Sequence, residues 1–382
     1  MNGSPDEPRL DPFPIGLGQE QMHRLLRHVL ANDIPTSQDL FSARELEAYL
    51  EALKDPPFSV IAVGDTLLGD RAAKTLAREG PDYAFHAVRP LLWRATIVLA
   101  NLEGPLARAS SRHRRRYAYK VDPDLARPLT RAGLNIFNLA NNHVLDCGRS
   151  GLLETLEALE TVGAAVTGAG LNRQAAHAPV LRQAGPWRVG FLGYYWNRWH
   201  AATRDRPGVA IGSRKALQTD IGNLRERADR IVVSFHWGDP YRRHPSEEDR
   251  ATARFAVECG ADLVIGHHPR IIQPFEIHRD RPIFYSIGNF TFGSWNSRAE
   301  GLLLGIRFDE TQTTVITYPL YVKNRDPRVR FQPKVLRGAG AHRALRRLAE
   351  ISGPAGAELK FEAGRGILRL RRSGARRAAQ PL

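Results

Sequence analysis

Midway along the chain, the run Asn138-Leu139-Ala140-Asn141-Asn142-His143-Val144-Leu145-Asp146-Cys147-Gly148 brings together groups suited to metal chemistry. The Asn142 amide oxygen suits a hard cation, and the adjoining His143 imidazole can ligate a metal or move a proton. Upstream, residues 134–137 read as a short apolar strand. Downstream, Leu152, Leu156 and Leu159 recur at helical spacing. The run therefore falls where a strand gives way to a helix, the usual place for a site in an open α/β sheet.

Four other strand-like runs end the same way. Residues 58–64 deliver Asp65, 95–100 lead through Asn101 to Glu103, 230–235 deliver His236, and 261–265 deliver His267 and His268. Acids, an amide and imidazoles carried on separate strand ends form a divalent-metal constellation. Such a mixed oxygen and nitrogen set suits Mn, Fe or Zn. A carboxylate lying between two ions would bridge them, an arrangement used for hydrolysis.

These residues need a sheet framework, and its elements are legible. Residues 1–57 read as a helical extension, with helices over 19–31 and 42–53, the second opened by a Ser42/Glu45 capping pattern. Residues 58–322 alternate strands and helices: helices over 71–78, 151–162 and 247–259, strands over 164–168, 188–193 and 282–290, and an antiparallel pair over 301–309 and 313–319. Within this stretch, an Arg-rich loop spans 110–120, with Tyr117 and Tyr119. An aromatic loop spans 194–209, bracketed by Trp187, Trp196 and Trp199, and either walls a cleft or packs in the core. Residues 323–382 form a weakly patterned extension with one helix over 341–351.

A length of 382 residues with 42% hydrophobic content supports a folded chain with a sizeable core. Cys147 and Cys259 cannot form a disulfide framework, which suits a reducing compartment. The polar, Pro-rich start lacks a signal-peptide pattern, and no uninterrupted apolar run is long enough for a transmembrane helix, so the expectation is a cytoplasmic protein. The net charge is +15. Residues 323–382 hold 16 basic and 4 acidic side chains, most of the surplus, and so offer a basic surface for phosphates or an anionic polymer.

The set Gly64-Asp65, Asn101-Leu102-Glu103, Asn138 to Gly148, His236-Trp237-Gly238, Gly260-Ala261-Asp262, Gly266 to Gln273 and Tyr285 to Phe292, in this order, resembles the bacterial CapA family. These are poly-γ-glutamate capsule synthesis proteins of the calcineurin-like metallophosphoesterase superfamily. The resemblance implies a four-layer α/β/β/α sandwich with metals at one edge of the paired sheets. It implies Asp65 as the first-strand ligand, Glu103 as the bridging acid, and Asn142, His236 and His268 as ligands of the second metal. It makes His143 the catalytic imidazole and Asp146 the residue that orients it. Within the matched motifs, Asn101, Asn141, His267, Ser286 and Asn289 are further candidates for substrate binding.

Three positions depart from the superfamily pattern. Leu67 stands at a histidine position, Pro240 where relatives carry an acid, and Arg270 where His-Pro-His would place its second imidazole. A guanidinium cannot deprotonate to ligate a metal. The expectation is one well-held ion, Mn, Fe or Zn, at the second position, with the first position weak or absent. Arg270 then either clamps a substrate phosphate or carboxylate, or pairs with Asp65 in place of an ion. The implied function is metal-dependent hydrolysis or acyl/phosphoryl transfer on an anionic small-molecule, peptide or polymer substrate, such as poly-γ-glutamate or a γ-glutamyl amide. It would use a metal-bound nucleophile, with His143 as general acid. The alternatives are a phosphodiesterase or nuclease, and a non-catalytic polyanion-binding protein with a degenerate site. The sequence does not set the oligomeric state.

Overall fold

The computed structural model describes residues 34–108, 118–294 and 300–371. The helix expected over 19–31, the Arg112–Arg116 stretch and the chain from 372 lie outside the described residues. From Ser37 onward the chain forms one compact unit.

The strands of the first half are Val60–Leu67 (β1), Val98–Leu102 (β2), Ile136–Asn138 (β3), Ala165–Thr167 (β4), Ala169–Gly170 (β5), Val180–Ala184 (β6), Trp187–Tyr195 (β7) and Gly208–Val209 (β8). Those of the second half are Arg230–His236 (β9), Leu263–His267 (β10), Phe275–His278 (β11), Arg281–Phe284 (β12), Asn289–Phe292 (β13), Glu300–Phe308 (β14), Gln312–Tyr321 (β15), Lys334–Val335 (β16), Lys360–Glu362 (β17) and Arg365–Arg371 (β18). The larger sheet runs β17-β18-β15-β14-β1-β2-β3-β4, with β13 beside β1 and β16 beside β15. The smaller sheet runs β11-β12-β10-β9-β7-β6. Within them β1, β2, β3 and β4 are parallel, as are β7, β9, β10 and β12, so each set ends at a common edge.

Strand side chains alternate between faces, and here that alternation sorts three apolar layers. Val60, Ala62, Leu99, Ile136, Val232, Leu263 and Ile265 meet between the sheets. Ile61, Val63, Val98, Ala100 and Phe137 face the other way, onto the helices Ala43–Leu53, Ala72–Glu79 and Gly148–Thr161. Ile231, Val233, Phe235 and Val264 face the helices Arg214–Arg225 and Glu247–Glu258. The result is the expected four-layer α/β/β/α sandwich.

Three expectations about the framework need correction. The stretch 282–290 is two strands in different sheets: β12 pairs with β10, and β13 with β1. The described parts of both terminal extensions are built into the sandwich. Leu46 and Leu50 of the capped 43–53 helix join the main core, and the Asp39 carboxylate accepts the Gly340 N–H at 2.8 Å. At the other end, β18 adds to β15 over Gln312–Thr317, and Leu368 and Leu370 complete the interlayer. The tail's pattern is hard to see because arginines alternate with its buried leucines.

The basic character of this tail is also largely neutralised. Arg328 pairs with Asp326, Arg337 with Glu45, Arg343 with Asp39, Arg347 with Glu300, Arg365 with Asp55 and Arg369 with Glu362. No helix of the described residues is long and apolar enough to cross a membrane.

If β18 belongs to the core, Leu368→Ala should cost about 2–5 kcal/mol, the usual range for truncating a buried leucine. Chemical denaturation checks this; a loss within experimental error of zero would mark the tail as an appendage.

Candidate metal centre

The chemistry-bearing side chains are the last rung of the interlayer columns. Ile97, just before β2, and Leu99 on it face the smaller sheet, and two residues on stands Asn101; on β3, Ile136 is followed by Asn138. Opposite, Val232 leads to His236 on β9, and Leu263 and Ile265 lead to His267 on β10. Except for buried Ser234 on β9, each column is apolar until the carboxyl edge and polar there. Asp65 joins this rung through an irregularity: Val63 pairs with Ala100 and Asp65 with the very next residue, Asn101. This is the two-against-one count of a β-bulge, which re-aims a side chain. The bulge residue must be Gly64, since a Cβ there would lie 2.0 Å from the Gly288 carbonyl oxygen.

In register, the larger sheet presents Asn289, Asp65, Asn101, Asn138 and Thr167, and the smaller presents His267, His236 and Tyr195. The two rows touch. The Asn101 amide donates to Asp65 Oδ1 at 2.8 Å and lies 3.3 Å from His236 Nδ1. His267 Nδ1 is 3.4 Å from the same Asp65 oxygen. Asn101 Oδ1 in turn accepts from Asn138 at 3.2 Å, and the Asn141 amide donates to Leu102 O at 2.8 Å.

Loops beyond the strand ends supply the rest. Glu103 follows β2 directly, and Asn142, His143 and Asp146 lie between β3 and the 148–161 helix. Asn142 Oδ1 is 2.8 Å from His236 Nε2. The ligating atoms of Glu103, His236 and His268 lie within 4.8 Å of one another. Glu103 Oε2 and His268 Nδ1 are buried without a hydrogen-bond partner. A buried carboxylate oxygen beside unpaired imidazole nitrogen is costly unless a cation satisfies both. The donor set of Glu103, Asn142, His236 and His268 therefore fits a divalent ion.

Electrostatics agree with that fit. Burial, and then the proximity of three other imidazoles and the Arg270 guanidinium, holds His236 well below the usual imidazole range. Burial also lowers His268, to about 4, against the pull of Asp65. Both rings are thus neutral, as ligation requires. Burial and the adjoining Asp65 charge push the Glu103 carboxyl well up, opposed by Arg270. Asp65 goes the other way: burial would raise it, but His267, the Asn101 amide and Arg270 outweigh burial and hold it down.

Arg270 does not pair with Asp65. Its Nη2 donates to Glu103 Oε1 at 3.1 Å and lies 3.4 Å from His143 Nε2, while its guanidinium sits over the Phe292 ring at 4.7 Å. The bridging acid thus has a fixed organic cation on one side. His268 and Arg270 both have positive φ, 97° and 58°. Such backbone costs about 1–3 kcal/mol in a non-glycine residue, and here it flanks the residues that meet Glu103.

His143 is held from behind. Its Nδ1 is 2.7 Å from Asp146 Oδ2, which also accepts the Tyr119 N–H at 2.7 Å. The Tyr119 ring packs on the imidazole at 4.3 Å. Tyr119 was legible only as one of two tyrosines in an Arg-rich loop; nothing in its spacing signals this contact. Among the substrate-binding candidates, Asn101 and Asn141 are fully buried and bonded within the rung. The Ser286 hydroxyl donates to Ile271 O at 2.7 Å and accepts from the Gly288 N–H, so it braces the turn. His267 and Asn289 are buried beside Asp65, with side-chain polar atoms that have no hydrogen-bond partner.

For His268, an unfolded imidazole takes its proton near pH 6.5 and the folded one only near 4. The folded state binds fewer protons across that window, so this contribution to stability is full above about pH 6.5 and is lost as pH falls towards 4. Urea midpoints of the metal-free wild type should therefore fall relative to His268→Gln across the window; parallel curves would count against a buried neutral ring.

Comparison with known proteins agrees with the motif order. A model of the bacterial capsule synthesis protein PGA_cap matches residues 59–294. The chain is 28% identical over 296 residues to the capsule biosynthesis protein CapA of Bacillus anthracis, covering 74% of this chain and 72% of that one. It is 27% identical over 261 residues to the PGA biosynthesis protein CapA of Bacillus subtilis, covering 67% and 69%. A protein of Mycobacterium tuberculosis named as a probable polyglutamine synthesis accessory protein is 33% identical over 209 residues, covering 50% and 54%. The matched segment carries every strand end of the polar rung and spans more than half of the 382 residues; the chain belongs to the bacterial capsule synthesis protein family PGA_cap.

Proposed function

We propose that this chain is a metal-dependent hydrolase or acyl/phosphoryl-transfer enzyme acting on the γ-glutamyl amide linkages of an anionic polymer. The observation that carries the reading is the His143 constellation. Nδ1 is held by Asp146 at 2.7 Å, and Nε2 faces Glu103 at 3.6 Å and Arg270 at 3.4 Å. A pure binding site has no evident need for an oriented imidazole beside a metal-ligand cluster. The names of the Bacillus relatives, CapA proteins of capsule and PGA biosynthesis, support poly-γ-glutamate as the polymer.

A divalent ion held by Glu103, Asn142, His236 and His268 would supply Lewis-acid polarisation of the scissile group and offset its developing charge. Asp146 accepts a hydrogen bond from His143 Nδ1–H and stabilises the imidazolium, which donates its Nε2 proton to the leaving amine. Arg270, anchored by Glu103 and Phe292, presents its remaining N–H groups to a substrate carboxylate; its buried Nε has no hydrogen-bond partner. Tyr119 keeps the imidazole plane fixed and shields it from water, since its ring is 5% exposed.

A second reading, a polymer-binding accessory protein without catalysis, draws on the Arg270–Glu103 pair, which occupies part of the bridging carboxylate. The nuclease alternative loses its main support because the described arginines of the tail are largely paired with acids.

Elemental analysis should find about one equivalent of Mn, Fe or Zn, lost in His236→Ala and in Asn142→Ala; two equivalents would overturn the role given to Arg270. With that ion supplied, chain-length analysis of poly-γ-glutamate should show cleavage or transfer. His143→Ala should lower the rate by about 10²–10⁴-fold, the usual range for general acid–base catalysis. Polymer binding without turnover under every ion tested would favour the accessory protein.

A further inference from the structure

Two segments that leave the carboxyl edge beside the metal centre carry four arginines. The segment between β7 and β8 starts at Tyr195, whose ring lies 5.7 Å from His236, and then carries Arg198, Trp199, Arg204 and Arg206. Arg149 stands at the head of the 148–161 helix, directly after the loop of Asn142, His143 and Asp146. None of these four arginines has a carboxylate partner among the described residues, unlike Arg328, Arg337, Arg347 or Arg365 of the tail. Partial burial, and then the charge of Arg206, holds the Arg149 guanidinium below its usual range. An anion bound beside both would offset that repulsion.

The rim is a built feature. Thr203 N–H donates to Arg206 O at 3.0 Å, closing a tight turn around Arg204-Asp205. That turn is tied down by Ala202 N–H to Val209 O at 3.0 Å and Arg173 N–H to Thr203 O at 2.7 Å, and by the β5–β8 pair. Arginines carried on a fixed turn need less ordering when a ligand arrives. Beside them Trp199 is 86% exposed, far more than any other large hydrophobic side chain among the described residues.

We propose that Arg149, Arg198, Arg204 and Arg206, with Trp199, form a subsite that holds a flexible linear polycarboxylate as it runs away from the metal centre. This deepens the function proposed above and rests on it for the direction in which the polymer leads. Guanidinium forks match carboxylates in bidentate pairs, and the indole offers an apolar face to methylene groups between the charges. Single-stranded nucleic acid fits less well, since it favours several aromatic faces in succession, and this rim has one fully exposed.

The test is binding of fluorescein-labelled poly-γ-glutamate to the metal-loaded full chain by fluorescence anisotropy at several salt concentrations. The double variant Arg149→Glu/Arg206→Glu should weaken binding by about tenfold or more and flatten the salt dependence, since fewer charge pairs form. Its metal content should equal that of the wild type, which shows that the centre is intact. Trp199→Ala should weaken binding without changing the salt slope. A tail variant, Arg325→Glu/Arg330→Glu, should bind as the wild type does. Loss of binding in the tail variant with retention in the rim variant would overturn the subsite. So would a wild type that binds no polymer, or an oligo-dT probe that binds more tightly through the same arginines. If the rim holds polymer while the chain binds no metal, the subsite stands and the catalytic reading fails.

Discussion

The site depends on two polar rows meeting at the same height between two packed sheets. The sheets are held by apolar columns such as Leu99, Val232 and Ile265, which fix the separation and register of everything on them. Where each column ends, the next inward position is polar, so Asn101 faces Asp65 and His236 without a loop having to find them. A one-residue slip would send the whole row to the helical side. The bulge at Gly64 is such a slip confined to one strand, and it turns Asp65 inward. It is possible only because Gly64 lets the β1 backbone approach Gly288.

Burial then governs the chemistry. Asp65 and Glu103 are fully buried side by side, an arrangement that two carboxylates reach only with compensating positive charge. Arg270 supplies part of it as a permanent cation on Glu103. This leaves the oxygen and nitrogen donors of Glu103, Asn142, His236 and His268 on the other side for an ion. The same guanidinium lies next to His143 Nε2, so one substitution joins the metal position, the imidazole and the anion-binding capacity of the site.

The periphery separates structural from functional charge. Arginines of the terminal segments meet acids across the larger sheet, such as Arg365 with Asp55 and Arg347 with Glu300, and serve to fasten the ends. Arginines at the rim of the centre have no such partners. A sequence count gives both groups the same +1 each; only their neighbours tell them apart.

From the sequence alone come the fold class, most strands and the polar residues that the structure brings together at one edge. Each strand end carries its polar residue next to a recognisable apolar run, and the motif order is specific. It also determined that Arg270 could not be a ligand, because that follows from its chemistry alone. It did not reveal that Tyr119 packs on His143, that 282–290 splits between two sheets, or that β18 belongs to the larger sheet. These depend on contacts between residues far apart in the chain, which local patterning does not encode. Tertiary structure also decided that Arg270 pairs with Glu103 instead of Asp65, since both acids end neighbouring strands and only the path of the 268–270 turn selects one. It likewise gave Ser286 and Asn101 hydrogen-bond partners within the framework, which no spacing reveals.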